Sequence, residues 1–329
     1  MKTKFEELYA DHTGKLSDKW MLYLKEWDNI FSSFKEREIY LLEIGIQNGG
    51  SLEIWAKYFT KAKNIIGCDI NENCQILEFD DERINIIIGD ANSDQIENQI
   101  TDITSGFDII IDDGSHKSDD IIKTFSRYYD KLNPRGVYLI EDLHASYWKN
   151  FNGGLHNPCS AVSFLKRLID IINFQHWRNN QSRVEYLSQY IKKYKLGLEK
   201  LDLCTISSIE FCNSLCVITK QSPEENRLGK RIVVGTEENV TENYKKLNGT
   251  SIYDIKATVE ADANLDVFSL IDQIKKLEVE QRRLEQKLKE IDNLRKQVHK
   301  LEEEVINYTT SKSWKFTRPF RKLMKLIKN

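Results

Sequence analysis

The sequence predicts an α/β protein with a doubly wound, mostly parallel sheet, followed by a C-terminal α-helical coiled coil. Between residues 39 and 142, short apolar runs alternate with amphipathic stretches. Continuous apolar runs are typical of strands that helices cover on both faces, and the β-α-β-α rhythm is typical of a parallel sheet. After residue 265, leucine-class residues recur mainly at spacings of three, four or seven. That spacing predicts a coiled coil.

Five apolar runs are the predicted parallel strands, and two segments between them have helical spacing. The strands are EIYLLEIGI, KNIIGCDI, INIIIGD, FDIIIDD and GVYLIED, and the helical segments are SLEIWAKYF and DDIIKTFSRYYDKL. Two later runs, near residues 201–207 and 211–219, predict a hairpin that closes one edge of the sheet. Residues 1–35 are rich in aromatic side chains and are predicted to be helical.

We expect one domain over residues 1–221, with an insertion at residues 145–197. Insertions after a functional strand often form a lid or a wall of the substrate site, and a purely structural cap is the alternative. The following residues, 222–264, are polar and weakly patterned. They predict a linker or a small extension.

The C-terminal region is predicted to contain a coiled coil and a basic amphipathic tail. The coiled coil covers residues 265–307, with Gln281 at one core position, and a single solvated helix is the alternative. We expect it to join copies of the chain into a homo-oligomer. The tail, residues 308–329, is expected to start a new helix at Pro319. Its mixture of basic and apolar side chains favours peripheral contact with an anionic membrane, with a protein partner as the alternative.

The composition argues against several classes of protein. The formal net charge is −3, although the last 18 residues carry seven Lys or Arg and no acid. The rest of the chain is therefore acidic and has no basic stripe, which argues against a nucleic-acid partner. No apolar run is long enough to span a bilayer, the first residues lack the apolar core of a signal peptide, and the six cysteines suit free thiols. We therefore expect a cytoplasmic protein that contacts the inner face of the cell membrane, if at all, through its tail.

Three predicted strands end in residues suited to binding a nucleoside. Gly45 follows the first strand, where glycine lets the backbone approach a ligand closely. Asp69 ends the second strand, where a carboxylate can accept both hydroxyls of a ribose. Asp90 ends the third strand, in a position suited to an adenine amino group. Gln47 stands where a dinucleotide-binding loop would have the second glycine that lets a pyrophosphate approach, which favours another kind of nucleoside site over a dinucleotide site.

This order of strand-end acids resembles that of the class I S-adenosylmethionine-dependent methyltransferases. The resemblance implies a Rossmann-like methyltransferase domain that binds S-adenosylmethionine through Glu43, Gly45, Asp69 and Asp90. The glycine motif departs from the family's G-x-G-x-G pattern, because its other glycines stand at positions 49 and 50. Asp112, at the end of the fourth strand, is assigned to the cofactor as well, with a turn-capping role as the alternative.

The fourth and fifth strands end in the acidic motifs IDDGSH and IEDLH. In a doubly wound sheet these strands lie side by side, so Asp113, Glu141 and Asp142 are expected to converge. Three unpaired carboxylates would repel one another unless a cation lay between them, and oxygen ligands favour Mg²⁺. His116, three residues beyond Asp113, would remain free to act as a base.

The combination of DDGSH and a following ED pair resembles, more narrowly, the metal-dependent sugar O-methyltransferases of macrolide biosynthesis. The resemblance covers about residues 39–150. It implies that Asp113, Glu141 and Asp142 hold Mg²⁺ and that His116 takes the proton from a sugar hydroxyl. We therefore predict an O-methyltransferase for a sugar or glycan acceptor. The tail resembles the C-terminal segments of bacterial cell-surface polysaccharide enzymes, which implies a role in cell-surface polysaccharide or glycoside biosynthesis.

Two other functions are compatible with the same sequence. The chain could be a non-catalytic scaffold or spacer of a glycan-assembly complex, or it could methylate small phenolic acceptors. The full set of acids and the histidine argue against a scaffold, because a scaffold does not require four polar groups at one pocket. The coiled coil and tail favour a large acceptor over a small phenol.

Overall fold

The computed structural model describes residues 2–177, 180–254 and 267–327. The chain divides into two compact units, residues 1–261 and 262–329, and each is considered by itself. Residues 255–266, where the predicted linker meets the predicted coiled coil, lie outside the described residues, as do the last two residues of the tail.

A seven-stranded sheet forms the centre of the first unit. Its order is β3-β2-β1-β4-β5-β7-β6; the first five strands in sequence are parallel, and β7 pairs antiparallel with both β5 and β6. The strands are β1 (Tyr40–Ile44), β2 (Asn64–Asp69), β3 (Ile84–Ile88), β4 (Phe107–Asp112), β5 (Leu132–Ile140), β6 (Ile206–Cys212) and β7 (Leu215–Lys220). This topology confirms the predicted doubly wound sheet and its closing hairpin. The strand order reverses between β1 and β4, and α/β proteins commonly bind ligands beside such a reversal.

Helices cover both faces of the sheet. They are α1 (Lys4–Ala10), α2 (Met21–Phe31), α3 (Gly50–Tyr58), α4 (Asp94–Ile103), α5 (Ser118–Tyr128), α6 (Ala161–Ile172), α7 (Arg183–Tyr186) and α8 (Ser188–Tyr194). On one face, α1, α2 and α3 share an aromatic core in which the rings of Trp27 and Trp55 lie 4.8 Å apart. Elsewhere, Phe125 of α5 packs against Tyr138 of β5 and Phe164 of α6.

The N-terminal segment is only partly helical. Residues 11–20 form an irregular connection between α1 and α2, where the sequence predicted continuous helix. This connection carries Lys19 to the carboxyl ends of β4 and β5. The departure from helix is therefore what brings the N-terminal segment into the candidate site.

The insertion has two structurally different parts. Its first part forms short 3₁₀ turns, Leu143–Tyr147 and Lys149–Phe151, beside the end of β5. The second part contains α6, whose apolar face is buried against the body of the domain. Beyond the sheet, residues 222–254 are largely exposed and form one isolated bridge, between Lys230 and Ser251.

Two helices make up the described part of the second unit, α9 (Val267–Thr310) and α10 (Lys312–Ile327). The predicted helix start at Pro319 is wrong, because Pro319 lies inside α10. The new helix begins earlier because the hydroxyl of Ser311 accepts a hydrogen bond from the backbone N–H of Trp314, at 3.2 Å. No helix in the described residues is both long enough and apolar enough to cross a bilayer.

The apolar residues predicted to form the coiled-coil core are exposed along α9. Those whose side chains are described are Ile274, Leu277, Leu284, Leu288, Ile291, Leu294, Val298, Leu301 and Val305. Leu270 belongs to the same pattern, but its side chain lies outside the described residues. The coiled coil itself stays a prediction.

Candidate active site

A cavity of about 410 Å³ opens at the carboxyl ends of the parallel strands, beside the reversal of strand order. Its volume is in the range of small-molecule sites. Eight of the nine predicted site residues line it, namely Gly45, Asp69, Asp90, Asp112, Asp113, His116, Glu141 and Asp142. The structure therefore brings together residues that are spread over about a hundred positions of sequence.

Gly45 allows the loop after β1 to pass closely over the loop after β4. Its φ is +90°, and a Cβ atom at this position would collide with the backbone carbonyl of Asp113. The N–H of Gly45 also donates a hydrogen bond to the carbonyl of Cys68, at 2.7 Å. Glycine is required here both by the backbone conformation and by the close approach.

Asp69 and Asp90 are fixed at the cavity edge by backbone hydrogen bonds. Asp69 accepts bonds from the N–H groups of Ile46 and Gln47, at 2.9 and 3.0 Å, and so holds the loop after β1 in place. Asp90 accepts a bond from the N–H of Asn92, at 2.9 Å. A carboxylate has about four acceptor positions. Both side chains therefore keep some capacity to accept hydrogen bonds from a ligand.

Asp112 is a buried acid that lines the cavity without a full set of partners. Its Oδ1 accepts one long hydrogen bond from the N–H of Gly114, at 3.4 Å, and its Oδ2 has no hydrogen-bond partner among the described residues. Burial raises the pKa of this carboxyl to about 7. Such a group is stabilised either by a proton or by a ligand that donates a hydrogen bond.

Glu43, the ninth predicted site residue, lies beneath the cavity rather than in its wall. Its Oε2 accepts hydrogen bonds from the hydroxyl of Ser51, at 2.7 Å, and from the indole N–H of Trp55, at 3.0 Å. Burial raises the pKa of Glu43 to about 7. These contacts join β1 to α3 below the loop of Gly45. Any influence of Glu43 on a cofactor would therefore act through that loop, and its direct role stays a prediction.

The acidic ends of β4 and β5 converge on the ammonium group of Lys19. Lys19 Nζ lies 2.7 Å from Glu141 Oε2, forms an ion pair with Asp113, and is 3.9 Å from Glu43 Oε1. Its side chain is only 5% exposed. Burial opposes the charged form, but the carboxylates of Glu141, Asp113 and Glu43 together raise the pKa of Lys19 well above its usual value.

The contacts of Lys19 contradict the prediction that Asp113 and Glu141 are unpaired carboxylates. Asp113 and Glu141 are not unpaired, because Lys19, which lies 94 and 122 residues away in sequence, forms an ion pair with each of them and offsets part of their charge. Their mutual repulsion therefore does not by itself require a metal ion. Nothing in the local pattern around Lys19 indicates this contact, since only the fold brings the N-terminal connection to β4 and β5.

Asp142 is oriented by aromatic residues of the same N-terminal segment. Its Oδ1 accepts hydrogen bonds from the indole N–H of Trp20, at 3.0 Å, and from the hydroxyl of Tyr23, at 2.9 Å. Its Oδ2 lies 3.8 Å from His116 Nε2. Asp142 and His116 both adopt left-handed backbone conformations, with φ of 53° and 56°. Strained residues of this kind are concentrated at functional sites.

The donor set can accommodate one metal ion. Among the described residues, ligand atoms of Asp113, His116 and Asp142 lie within 4.8 Å of one another. This set shares Asp113 and Asp142 with the predicted ligands but contains His116 in place of Glu141. One oxygen of Glu141 is engaged by Lys19, and the other is buried without a hydrogen-bond partner. The geometry thus fits a cation held by Asp113 and Asp142, and it does not decide between His116 and Glu141 as the third protein ligand.

Comparison with known proteins supports the resemblance seen in the motifs. No family model matches the chain. The chain is 32% identical over 177 residues to the 8-demethyl-8-alpha-L-rhamnosyl tetracenomycin-C 2′-O-methyltransferase of Streptomyces olivaceus, covering 51% of this chain and 46% of that protein. It is 33% identical over 172 residues to the mycinamicin VI 2″-O-methyltransferase of Micromonospora griseorubida, covering 49% of this chain and 42% of that protein. The chain thus spans less than half the length of these two relatives.

A solved structure has the same fold. It is the MycE methyltransferase of the mycinamycin biosynthetic pathway in complex with Mg and SAH, which matches with a TM-score of 0.57 at 24% identity, over 75% of this chain and 59% of that one. The first unit therefore has the Rossmann-like methyltransferase fold. The predicted resemblance is confirmed, because the two relatives named above are sugar O-methyltransferases.

Proposed function

We propose that this chain is an S-adenosylmethionine-dependent, Mg²⁺-assisted O-methyltransferase that acts on a sugar or glycan hydroxyl. The observation that carries the proposal is one cavity with two chemically different sides. Strand-end acids suited to a nucleoside line one side, and Asp113, His116 and Asp142 line the other. Sugar O-methyltransferases are similar to the chain in sequence, and one methyltransferase with Mg and SAH bound has the same fold.

The methyl donor would bind on the side of β1, β2 and β3. Asp69 would accept hydrogen bonds from the ribose, and Asp90 would accept one from the adenine. The unpaired Oδ2 of Asp112 offers a further acceptor within the same cavity. Gly45 lets the loop after β1 lie close to the loop after β4, which leaves room for the donor.

His116 would act as the base on the acceptor side. As the acceptor oxygen bonds to the methyl carbon, the carbon–sulfur bond breaks, the sulfonium becomes a neutral thioether, and the hydroxyl proton passes to the imidazole of His116. The carboxylate of Asp142, 3.8 Å from His116 Nε2, would stabilise the resulting imidazolium. Trp20 and Tyr23 keep this carboxylate from rotating away.

Asp113 and Asp142 would hold the metal ion, with Glu141 or His116 as a third ligand. When bound, Mg²⁺ would lower the pKa of the acceptor hydroxyl and fix its position. Lys19 would hold the carboxyl groups of Asp113 and Glu141 in place through its contacts with both, whether or not the ion is present.

The rest of the chain suggests where the reaction takes place. The exposed apolar stripe of α9 would join chains into a homo-oligomer, and the basic, apolar α10 would contact an anionic membrane surface. Such a cytoplasmic enzyme at the inner membrane face would suit an acceptor made for cell-surface polysaccharide. A soluble glycoside is the other acceptor class, since the curated relatives act on tetracenomycin and mycinamicin compounds.

The test is methyl transfer from labelled S-adenosylmethionine to a panel of glycosides and lipid-linked glycans, with Mg²⁺ present. His116→Asn should lower kcat by about 10²–10⁴-fold while calorimetric binding of S-adenosylmethionine is unchanged. His156→Asn is the matched control, because His156 is exposed and lies outside the cavity. Asp113→Asn should abolish activity altogether while the fold and donor binding persist.

Three results would contradict parts of the proposal. Failure to bind S-adenosylmethionine would favour the non-catalytic scaffold. Full activity in excess chelator would remove the metal from the mechanism. Loss of Mn²⁺ binding in His116→Asn, measured by electron paramagnetic resonance, would assign His116 as a metal ligand rather than the base.

A further inference from the structure

A second cavity of the first unit, of about 570 Å³, lies between the end of α6, α7 and residues 222–254. We call it the basic cavity, and we call residues 222–254 the extension. The basic cavity shares no wall residue with the candidate active site, and no step of the proposed reaction uses it. Its volume is in the range of small-molecule sites.

Hydrogen bonds attach the extension to the domain, so the basic cavity has a defined wall. The side-chain amide of Asn226 donates to the backbone carbonyls of Cys204 and Ile206, at 2.8 and 2.6 Å. The backbone N–H of Arg231 donates to the carbonyl of Thr250, at 2.8 Å, and joins the two ends of the extension. The extension therefore lines the cavity from two places in its sequence, at residues 223–227 and 252–253.

The charged groups that line the basic cavity are two arginines. Arg183, in α7, is partly buried, and Arg227, in the extension, is exposed. Among the described residues, no acid lines the cavity and neither arginine has an ion-pair partner. The carboxylate of Glu225 pairs with Arg135 instead, at 3.2 Å. Two guanidinium groups without a counter-ion favour the binding of an anion.

The guanidinium of Arg183 is held against an aromatic ring. Its Cζ lies 3.8 Å from the centroid of the Phe174 ring. Its nitrogens have no hydrogen-bond partner within the part of the chain that the structure describes, and Nε is also buried. A stacked guanidinium keeps the N–H groups at its edges available as donors. Because its orientation is already fixed, Arg183 loses little conformational entropy when it binds a ligand.

The rest of the wall favours an organic anion over an inorganic one. Apolar side chains form much of it, namely Ile171, Ile172, Phe174, Pro223 and Ile252. The aromatic ring of Tyr253, which is 80% exposed, also lines the cavity. A phosphate has oxygens enough for two arginine forks, whereas a single fork already satisfies a carboxylate. The pair of arginines beside apolar surface therefore suits a phosphate that carries an apolar or aromatic group.

We propose that the basic cavity binds a small organic phosphate, with Arg183 and Arg227 donating hydrogen bonds to its phosphate group. The apolar wall contacts the organic part of the same molecule. A free nucleotide and a lipid phosphate share this chemistry, and the experiment below distinguishes them. The basic cavity is thus a second ligand site of the domain, separate from the cavity assigned to methyl transfer.

The test is calorimetric titration of the full chain with AMP, farnesyl phosphate and inorganic phosphate. SAH is present at saturation, so that AMP cannot bind in the candidate active site, and a chelator removes metal ions that would bind phosphate. At least one of the two organic phosphates should bind more tightly than inorganic phosphate. Adenosine and farnesol, which lack the phosphate, should not bind. The organic phosphate that binds more tightly identifies the source of the ligand.

Arg183→Gln and Arg227→Gln should each weaken binding of that organic phosphate by at least about tenfold, as expected for the loss of hydrogen bonds between charged groups. Arg231→Gln is the matched control, because Arg231 is an exposed arginine of the same extension that does not line the cavity. It should leave the affinity unchanged. Circular dichroism checks the fold of each variant, and the exposed Arg227 decides the question if Arg183→Gln does not fold.

Three results would overturn the basic cavity as a phosphate site. They are no binding of any phosphate at millimolar concentration, binding that both cavity variants retain, and a loss in Arg231→Gln as large as that in Arg227→Gln. The binding of SAH is measured first and separately. Its failure would count against the proposed methyl transfer, whereas the comparison of arginine variants tests the basic cavity alone.

Discussion

Replacing Lys19 by methionine tests the charge balance of the candidate site. Lys19 Nζ is 2.7 Å from Glu141 Oε2, and neither side chain is more than 5% exposed. Removing one partner of a buried ion pair leaves the other charge uncompensated and costs about 3–5 kcal/mol. We expect Lys19→Met to lower the free energy of unfolding of the first unit by this amount at about pH 8.

The loss should depend on pH in a defined direction. Burial, partly offset by Lys19, already raises the pKa of Glu141 well above its usual value, and removing Lys19 raises it further. A carboxyl whose pKa is higher in the folded state lowers the stability of that state as the pH rises from the pKa of the unfolded state to the pKa of the folded state. The deficit of the variant should therefore be largest in alkaline solution and should shrink as the pH falls and the buried carboxyls take up protons.

The measurement is urea unfolding followed by tryptophan fluorescence. Five of the six tryptophans lie in residues 1–261, so the signal reports mainly on that unit. Lys15→Met is the control, because Lys15 pairs with Glu53 at 2.9 Å with both side chains partly exposed, and such pairs contribute about 1 kcal/mol or less. A loss in Lys19→Met no larger than in this control, or one that is independent of pH, would refute the buried ion pair.

Three further variants test the roles of single residues. Glu43→Gln should stabilise the protein by up to about 3 kcal/mol above pH 7 and by much less near pH 5. The reason is that burial raises the pKa of Glu43 to about 7, so that ionising its carboxyl group lowers the stability of the folded state. Thermal unfolding over a pH series measures the difference. Gly45→Ala should lower the free energy of unfolding by about 1–3 kcal/mol because of backbone strain, and it should weaken S-adenosylmethionine binding measured by calorimetry. Unchanged binding would show that this loop has no part in binding the donor. Leu288→Glu should lower the molar mass measured by light scattering if α9 self-associates, whereas Gln286→Glu, at an exposed position away from the apolar stripe, should not.

The strands and their acidic ends were predictable because they depend on local sequence and on general rules of parallel sheets. Apolar runs that end in Asp112 and Glu141 must bring those ends together once β4 and β5 are neighbours. The partners of the acids were not predictable in this way. Lys19 and Trp20 reach the site only because residues 11–20 leave the helical path, and no periodicity indicates that departure.

The wrong helix start at Pro319 has a different cause. Proline is a favourable first helical residue, but Ser311 is an equally good cap and comes earlier in the chain. Inside α10, the guanidinium of Arg321 donates hydrogen bonds to the hydroxyl of Thr317 and to the backbone carbonyl of Trp314. It also stacks on the ring of Trp314, with its Cζ 3.4 Å from the ring centroid. These contacts span the turn that contains the proline. The choice between two competing helix starts thus depended on side-chain contacts that a residue count does not reveal.

The contact between Lys19 and Glu141 also has a consequence for how the protein folds. It joins residues 122 positions apart, and it involves the connection between α1 and α2, which precedes β4 and β5 in the chain. Contacts of such large sequence separation form only after the loop that joins them has closed. The N-terminal lysine must therefore wait until β4 and β5 are paired before it has a partner. The candidate site would be among the last parts of the domain to form, so a chain that has folded only partly would hold the acids but not the lysine that pairs with them.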